Sequence, residues 1–487
     1  MTDNLQAVAG LTPEPVWRYF AKIAEIPRGS KNEAAIAAFV MDTAKRLGLV
    51  ARQDTAGNVI VQKPASPGRE HVRSVCLQGH LDMVCEKNKT KDFDFTKDGI
   101  ELVRHGNAMM ANGTTLGADN GIAVATHLAI MEDNTLTHGP LELLFTIDEE
   151  TGLTGANALA PDFVKSRTLL NLDSEEEGAL YVGCSGGRDA LGTFKVDFEA
   201  APQGTTAVLI TVKGLKGGHS GLDIDKGRGN AIRILNRVLL ELAELGMRLA
   251  AFNGGNKRNA IPREAEALVL VPSKKLDAAT AVVTRVATAI KLEFGTVEPQ
   301  LDVTCTTPQG KRAKVIKKSQ QKRLLMTLAA LPHGVLKMSA DIPGLVETST
   351  NLAVIETNKK AIVVATSQRS SVASEIDEAS MSVCCTLDLG GAKVKPSEGY
   401  PGWKPNMQSE ILALAKGTYR RLFGNDPHVK AIHAGLECGI IGEKCPGIDM
   451  VSMGPTLEAV HSPDEKIFID TVPRFWQFLT AVLGGVT

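Results

Sequence analysis

Six side chains in this sequence are of the types that bind divalent metal ions and move protons: His80, Asp119, Glu149, Glu150, Asp173 and His461. Two imidazoles and three carboxylates suit a pair of zinc or manganese ions, with one carboxylate bridging and one histidine plus one acid completing each site. One carboxylate is then left over. A metal-assisted hydrolase needs such a group, a general base that takes a proton from water and hands it to a leaving amine. Glu149 and Glu150 are adjacent, and successive residues at a strand end point different ways, so the pair can divide the roles of ligand and base. In QGHLDM, Gln78–Met83, the acid two residues after His80 can orient its imidazole, so Asp82 is read as the aiming group for His80.

These residues need elements that bring them together. Ser74–Leu77 reads as a strand apolar enough to be buried on both faces, and it delivers His80. Leu141–Ile147 is a second such strand and runs straight into DEETG, Asp148–Gly152; Thr168–Leu172 is a third and runs into DSEEEG, Asp173–Gly178. Asp119, in GADNG, sits at the start of a helix expected from about Ile122 to Glu132. His461 lies in the loop between a strand at Met450–Met453 and a terminal helix at Asp470–Leu483. Functional groups gather at the carboxyl ends of strands in open parallel sheets, so three strand ends that each present His or acid suggest one crevice.

Around these motifs, helices are expected at Pro13–Glu25, Asn32–Leu47 and Met407–Leu422, a strand at Asn58–Gln62, and a polar, mobile stretch from Lys87 to Gly113. GCSGG, Gly183–Gly187, marks a change of character, and SEGYPGWKP, Ser397–Pro405, reads as a linker. Between them, two consecutive rounds of strands and helices suggest two βαββαβ halves, a duplication in element order. The expected fold class is α/β: a catalytic domain with a mostly parallel sheet flanked by helices, residues 1–186 and 399–487, interrupted by an inserted α+β domain of two ferredoxin-like halves, residues 187–398.

The totals narrow the function classes. A chain of 487 residues is long enough for two or three domains and a large core. With 54 Lys and Arg against 55 Asp and Glu, no overall field favours nucleic acid or an anionic membrane, and neither partner is expected. Eight cysteines without a CxxC pair fit buried free thiols in a reducing cytosol. The amino terminus lacks a basic segment followed by a long apolar one, and no apolar run reaches membrane-spanning length, so a soluble cytoplasmic protein is expected.

Taken singly, each candidate has a plain structural role. Asp119 could cap its helix, Glu149 and Glu150 could form an exposed acidic turn, Asp173 could begin a solvated charge run, and His461 could be a loop histidine. Their joint occurrence, every ligand type for two metals plus a spare base at strand ends of one domain, outweighs these readings. His71, His105, His127, His138, His333, His428 and His433 have no such company and are expected to be structural or exposed.

The motifs HLD at 80–82, GADNG at 117–121, DEETG at 148–152, DSEEEG at 173–178 and HSPDE at 461–465 resemble those of the M20 metallopeptidases, in order and over nearly the whole chain; their wording is similar to the aminoacyl-histidine dipeptidase branch. The resemblance implies that His80 and Asp173 hold one metal, Glu150 and His461 the other, that Asp119 bridges them, and that Glu149 is the general base with Asp82 orienting His80. It makes the inserted region a lid domain. Within it, His219 in KGGHSG matches a histidine that stabilises the tetrahedral oxyanion. Asn259 in RNAIP and Arg369 in SQRSS match substrate contacts, Arg369 as a fork for a carboxylate, and Glu437 in HAGLECG matches a contact to the free amino group. The implied activity is hydrolysis of short peptides with a free amino terminus, Xaa-His dipeptides among them, by a homodimer carrying two divalent ions per chain, zinc first and manganese or cobalt next. The alternatives are an amidohydrolase acting on N-acyl amino acids and a non-catalytic peptide-binding relative; binding metal requires neither Glu149 nor His219, which argues against the latter.

Overall fold

The computed structural model describes residues 4–308 and 314–487, and the chain divides into two compact units. The first comprises the chain up to Cys184, Trp403–Ala431 and Leu436–Thr487; the second comprises Ser185–Gly402 and Ile432–Gly435.

The first unit is built on an eight-stranded sheet in the order Val50–Gln53, Val59–Lys63, Leu141–Thr146, Val75–His80, Thr168–Asn171, Asp449–Ser452, Ala179–Cys184 and His428–Ile432. Its four central strands, Leu141–Thr146 through Asp449–Ser452, are parallel, and Val59–Lys63 and Ala179–Cys184 pair antiparallel on either side. Every residue of Val75–His80, Leu141–Thr146 and Thr168–Asn171 is buried, as expected of strands covered on both faces. The one acid in these strands, Glu142, is satisfied by the backbone N–H groups of Lys165 and Ser166, at 3.0 and 2.8 Å. His80 is level with Thr146, and Gln78 is level with both Leu144 and Asn171. The chain therefore leaves three adjacent strands at one edge, and Asp82, Asp148–Glu150 and Asp173 all start from there.

The helix Glu14–Ala24 buries Trp17, Phe20 and Ile23 against the helix Ala118–Glu132, which is apolar almost all round. One expectation fails here. The stretch Lys87–Gly113 contains the hairpin strands Leu102–His105 and Ala108–Ala111, which join Lys466–Phe468 and Leu457–Glu458 in a four-stranded antiparallel sheet. Each hairpin strand has only four residues, too few for a periodicity to mark it, and the sheet that Ala108–Ala111 extends is completed by strands far along the sequence.

The second unit is organised on a nine-stranded antiparallel sheet. Asp302–Thr306, Thr205–Lys213, Ala265–Pro272 and Arg248–Gly254 form one side, in the 4-1-3-2 order of a βαββαβ unit. Val346–Thr357, Ala361–Ser370, Gly186–Lys195 and Lys393–Pro396 continue it in the reverse order, 2-3-1-4. The halves are thus nested and not consecutive: the first strand of the second half, Gly186–Lys195, precedes the whole of the first half. They join where Gly254 pairs with Ile355, and a single core that includes Ile210, Val238, Val269, Leu324, Val364 and Val383 runs through both. The helix Ala231–Glu244 faces that core with Ile232, Leu235, Val238, Leu239 and Leu242, and the side chain of Asn230 caps it on the N–H groups of Ile232 and Arg233. No helix among the described residues is long and apolar enough to cross a membrane.

His127, midway along the helix Ala118–Glu132, stands edge-on to Phe145 with both ring nitrogens buried and unpartnered among the described residues. Burial pushes it down to about 3, so it is neutral in the folded chain. The unfolded chain takes up this proton below about pH 6.5, so the folded state loses stability as pH falls from there towards 3. The Tm of His127→Leu relative to the unchanged protein should therefore rise as pH falls through that window; a constant difference would exclude His127 as an acid-labile group.

Candidate metal centre

His80 ends its strand with a fully buried ring. Its Nδ1 faces Asp82, 3.2 Å from the backbone oxygen and 3.3 Å from Oδ1, which leaves Nε2 directed at Asp119 Oδ1 (3.1 Å) and Asp173 Oδ1 (3.3 Å). The Asp82 carboxylate also accepts from the N–H groups of Glu149 (3.0 Å) and Glu150 (3.2 Å) and from Ser30 Oγ (2.8 Å). It thereby ties the His80 strand end to the turn that carries the two glutamates. Burial opposes its ionisation, but the bonds from His80, Glu149 and Ser30 prevail and hold it down at about 2.

Asp119 does not cap its helix. It and Asn120 lie outside helical φ/ψ, so regular helix begins at about Gly121, and the Asp119 oxygens go to His80 and to His461 Nε2 (3.1 Å). His461 Nε2 is also 3.1 Å from Glu150 Oε2. Ligand atoms of His80, Asp119 and Asp173 lie within 4.8 Å of one another, and so do those of Asp119, Glu150 and His461, so Asp119 belongs to both groups. His80, Glu149 and Glu150 form a third such group, and a fourth, Glu33, Asp82 and Asp148, has its carboxylates engaged by backbone N–H groups and by the hydroxyls of Ser30, Thr151 and Thr154. In DSEEEG only Asp173 joins the ligand groups: Glu176 pairs with Lys430, and Glu177 with Arg474.

The electrostatics describe a site built for cations. Asp119, Glu149, Glu150 and Asp173 crowd around two imidazoles, and among the described residues no lysine or arginine pairs with any of the four. Hydrogen bonds to Asp119 and Glu150 push His461 up to about 11, and Asp173 is pushed up to about 6 by burial against the pull of His80. Burial, assisted by Asp173, Glu437 and Glu150, also raises Glu149 well above the carboxylate range. Glu150 Oε1 is buried without a hydrogen-bond partner among the described residues. Excess negative charge, imidazole nitrogens aimed inward and an orphaned carboxylate oxygen together fit a pair of divalent cations.

Glu437 opens the helix Glu437–Lys444 and is fully buried below the strand ends. Its Oε2 accepts from Gln78 Nε2 (2.5 Å) and Thr146 Oγ1 (2.6 Å), and its Oε1 has no partner among the described residues. Burial pushes it up to about 7. His219, Asn259 and Arg369 belong to the second unit and form a cluster of their own. His219 Nδ1 accepts from the N–H groups of Gly221 (3.2 Å) and Leu222 (3.1 Å), which assigns the proton of the neutral ring to Nε2, 3.4 Å from Arg369 Nη2; burial and Arg369 push this histidine down to about 4. Arg369 is no surface cation: it is 6% exposed, donates to Ser220 Oγ (3.2 Å) and Tyr400 OH (3.0 Å), and has no carboxylate partner among the described residues. Arg369 and Asn259 line a cavity of about 590 Å³ with Arg188, Asn256, Arg258 and Tyr400.

Several residues that hold the centre together carried no separate signal in the sequence. Asn120 Oδ1 accepts from the His80 N–H (3.2 Å) while its Nδ2 donates to Leu172 O (2.9 Å), tying two strand ends. A Cβ on Gly79 would lie 2.4 Å from that Oδ1 and 2.8 Å from the Ala123 Cβ, whereas one on Gly417, in the exposed helix Glu410–Phe423, would meet nothing within 4 Å. Gly79→Ala should therefore destabilise by about 1–3 kcal/mol through overpacking. Gly417→Ala should stabilise by about 0.5–1 kcal/mol. Denaturant unfolding measures both, and equal effects would contradict the packing described.

Comparisons with known proteins agree with this geometry. Residues 76–484 match Peptidase family M20/M25/M40. The chain is 41% identical over 483 residues to the cytosol non-specific dipeptidase of Escherichia coli, covering 99% of each. The crystal structure of an aminoacylhistidine dipeptidase from Vibrio alginolyticus superposes with a TM-score of 0.90 at 43% identity, over 99% of this chain and 98% of that one. An aminopeptidase PepT from Bacillus cereus, at 16% identity and a TM-score of 0.56 over 98% and 99% of the chains, shares the fold alone. The chain is a member of Peptidase family M20/M25/M40.

Proposed function

We propose that the chain is a two-metal dipeptidase that hydrolyses short peptides with a free amino terminus, Xaa-His dipeptides among them. The observation that carries the reading is the double engagement of Asp119, whose two oxygens face His80 and His461 from within two separate ligand groups. His80 and Asp173 would hold one divalent ion, Glu150 and His461 the other, with Asp119 between them; this mixed nitrogen and oxygen set suits zinc and accepts manganese or cobalt. Bound there, such ions supply Lewis acidity and make water more acidic at neutral pH.

Glu149 is the general base. It stands with His80 and Glu150 in one of the candidate ligand groups and has no Lys or Arg partner among the described residues; its carboxylate takes the proton from water and delivers it to the leaving amine. Asp82 fixes the His80 ring through Nδ1, which keeps Nε2 free as a ligand. His219 is the donor to the oxyanion, supported by a tautomer that leaves the proton on Nε2. Arg369, a buried fork without a carboxylate of its own, takes the substrate carboxylate, with Asn259 as a further contact; Glu437, one oxygen unpartnered, takes the amino group. The first unit is the catalytic domain and the second the lid. The dipeptidase names of the two similar proteins support the substrate class, and the word cytosol in one of them supports a cytoplasmic location. The assembly proposed is a homodimer.

Glu149→Gln should bind the same number of zinc equivalents as the unchanged protein while kcat falls by about 10²–10⁴. A variant with near-normal turnover would remove Glu149 from the role. Comparing β-Ala-His with an N-acetyl amino acid separates dipeptidase from amidohydrolase, since only the former requires the free amine. Peptide binding without turnover in the presence of saturating zinc and manganese would favour a binding protein.

A further inference from the structure

Arg28 and Glu465 grip the loop Leu116–Asp119 through opposite groups of its backbone. The Glu465 carboxylate accepts from four successive N–H groups, Oε2 from Leu116 (2.8 Å) and Gly117 (2.9 Å), Oε1 from Ala118 (2.8 Å) and Asp119 (3.3 Å). Arg28 Nη2 donates to the carbonyl of Gly117, and Nη1 donates to the carbonyls of Leu81 (2.9 Å) and Asp82 (3.0 Å). The Asp82 carbonyl is the same atom that faces His80 Nδ1. Glu465 stands four residues from His461 on one loop. Three segments that carry His80, Asp119 and His461 are therefore joined through one buried guanidinium and one buried carboxylate, 3% and 2% exposed.

The glycines of GADNG follow from this arrangement. Gly117 has φ +67°, and a Cβ there would lie 2.6 Å from Arg28 Nη2 and 2.7 Å from Met83 Sδ. A Cβ on Gly121 would lie 2.6 Å from the same nitrogen. The two glycines thus leave the space that the guanidinium fills. Burying two charges is costly unless they are hydrogen-bonded; both Glu465 oxygens and both Arg28 Nη atoms are spent on fixing peptide groups next to the candidate ligands, while Arg28 Nε has no partner among the described residues.

We infer that Arg28 and Glu465 are positioning residues that set the spacing of His80, Asp119 and His461 and so govern the affinity for the cation pair, an inference that rests on the metal-centre reading above. Neither side chain is itself a candidate ligand. A merely structural role would lower Tm and leave the metal affinity of the folded protein unchanged; a positioning role weakens metal binding in protein that is still folded.

The test is titration of the apo-protein with zinc against a chelator of known affinity, at a temperature where far-ultraviolet circular dichroism shows each variant folded. Glu465→Gln keeps the shape of the side chain and removes its charge; Arg28→Lys keeps the charge and removes the fork. Both should bind zinc about 10–100-fold more weakly than the unchanged protein, the usual effect of losing a group that orients ligands. Wild-type affinity in folded Glu465→Gln would overturn the inference, and that variant decides if Arg28→Lys does not fold. An unchanged protein that takes up fewer than two equivalents would instead overturn the metal-centre reading itself.

Discussion

Four carboxylates and two imidazoles meet in one cleft, and like charges at such separations repel strongly where water is scarce. That repulsion is the constraint on which the first unit turns. The concentration of acid shows in His461, pushed up by its hydrogen bonds to Asp119 and Glu150; scarcity of water shows in Asp173, pushed up by burial, and in the buried oxygen of Glu150 that no hydrogen bond satisfies among the described residues. Divalent cations relieve the repulsion directly, and the same crowding that would destabilise an ordinary fold becomes the source of affinity.

Holding such a cluster open requires a rigid frame, and the parallel sheet provides it. Because His80 ends level with Thr146, and the neighbouring strand ends at Asn171, level with Gln78, the segments beyond all start from the same edge of the sheet. Below the acids lies a buried polar layer: Gln78 donates to Glu437 and accepts from Asn171, while Thr146 shares the Glu437 carboxylate. Above it, Asp82 spans from His80 to the glutamate turn. The backbone N–H groups of Asp119, Glu149, Glu150 and Asp173 are held by Glu465, Asp82 and Asn171, which fixes where the four acidic side chains start.

The second unit solves a different problem with the same economy of charge. Burial beside Arg369 keeps His219 neutral, and two backbone N–H groups choose its tautomer. Arg369 is held by hydroxyls and not by an acid, which leaves its charge available. Nesting one βαββαβ half inside the other places Gly186–Lys195 in the middle of the second half's strands, next to Ala361–Ser370, the strand that carries Arg369.

The ligand types, the spare glutamate and the strands that end in them were legible in the sequence, because a metal site restricts residue chemistry and a doubly covered strand restricts polarity, and both are local. Asp119 illustrates the boundary: its acid type was readable, but an acid that caps a helix and one that faces two imidazoles look alike until His80 and His461, 39 residues before and 342 after, are seen on its two oxygens. Arg28, Asn120 and Glu465 act on backbone groups of distant segments, and a backbone acceptor leaves no mark in its own residue type. The joining of Ala108–Ala111 to Lys466–Phe468 and the nesting of the second unit depended likewise on partners remote in the chain. Sequence alone determined which chemistry was available, since that depends on side-chain type; only the tertiary structure decided which atoms meet, since that depends on register and long-range hydrogen bonding.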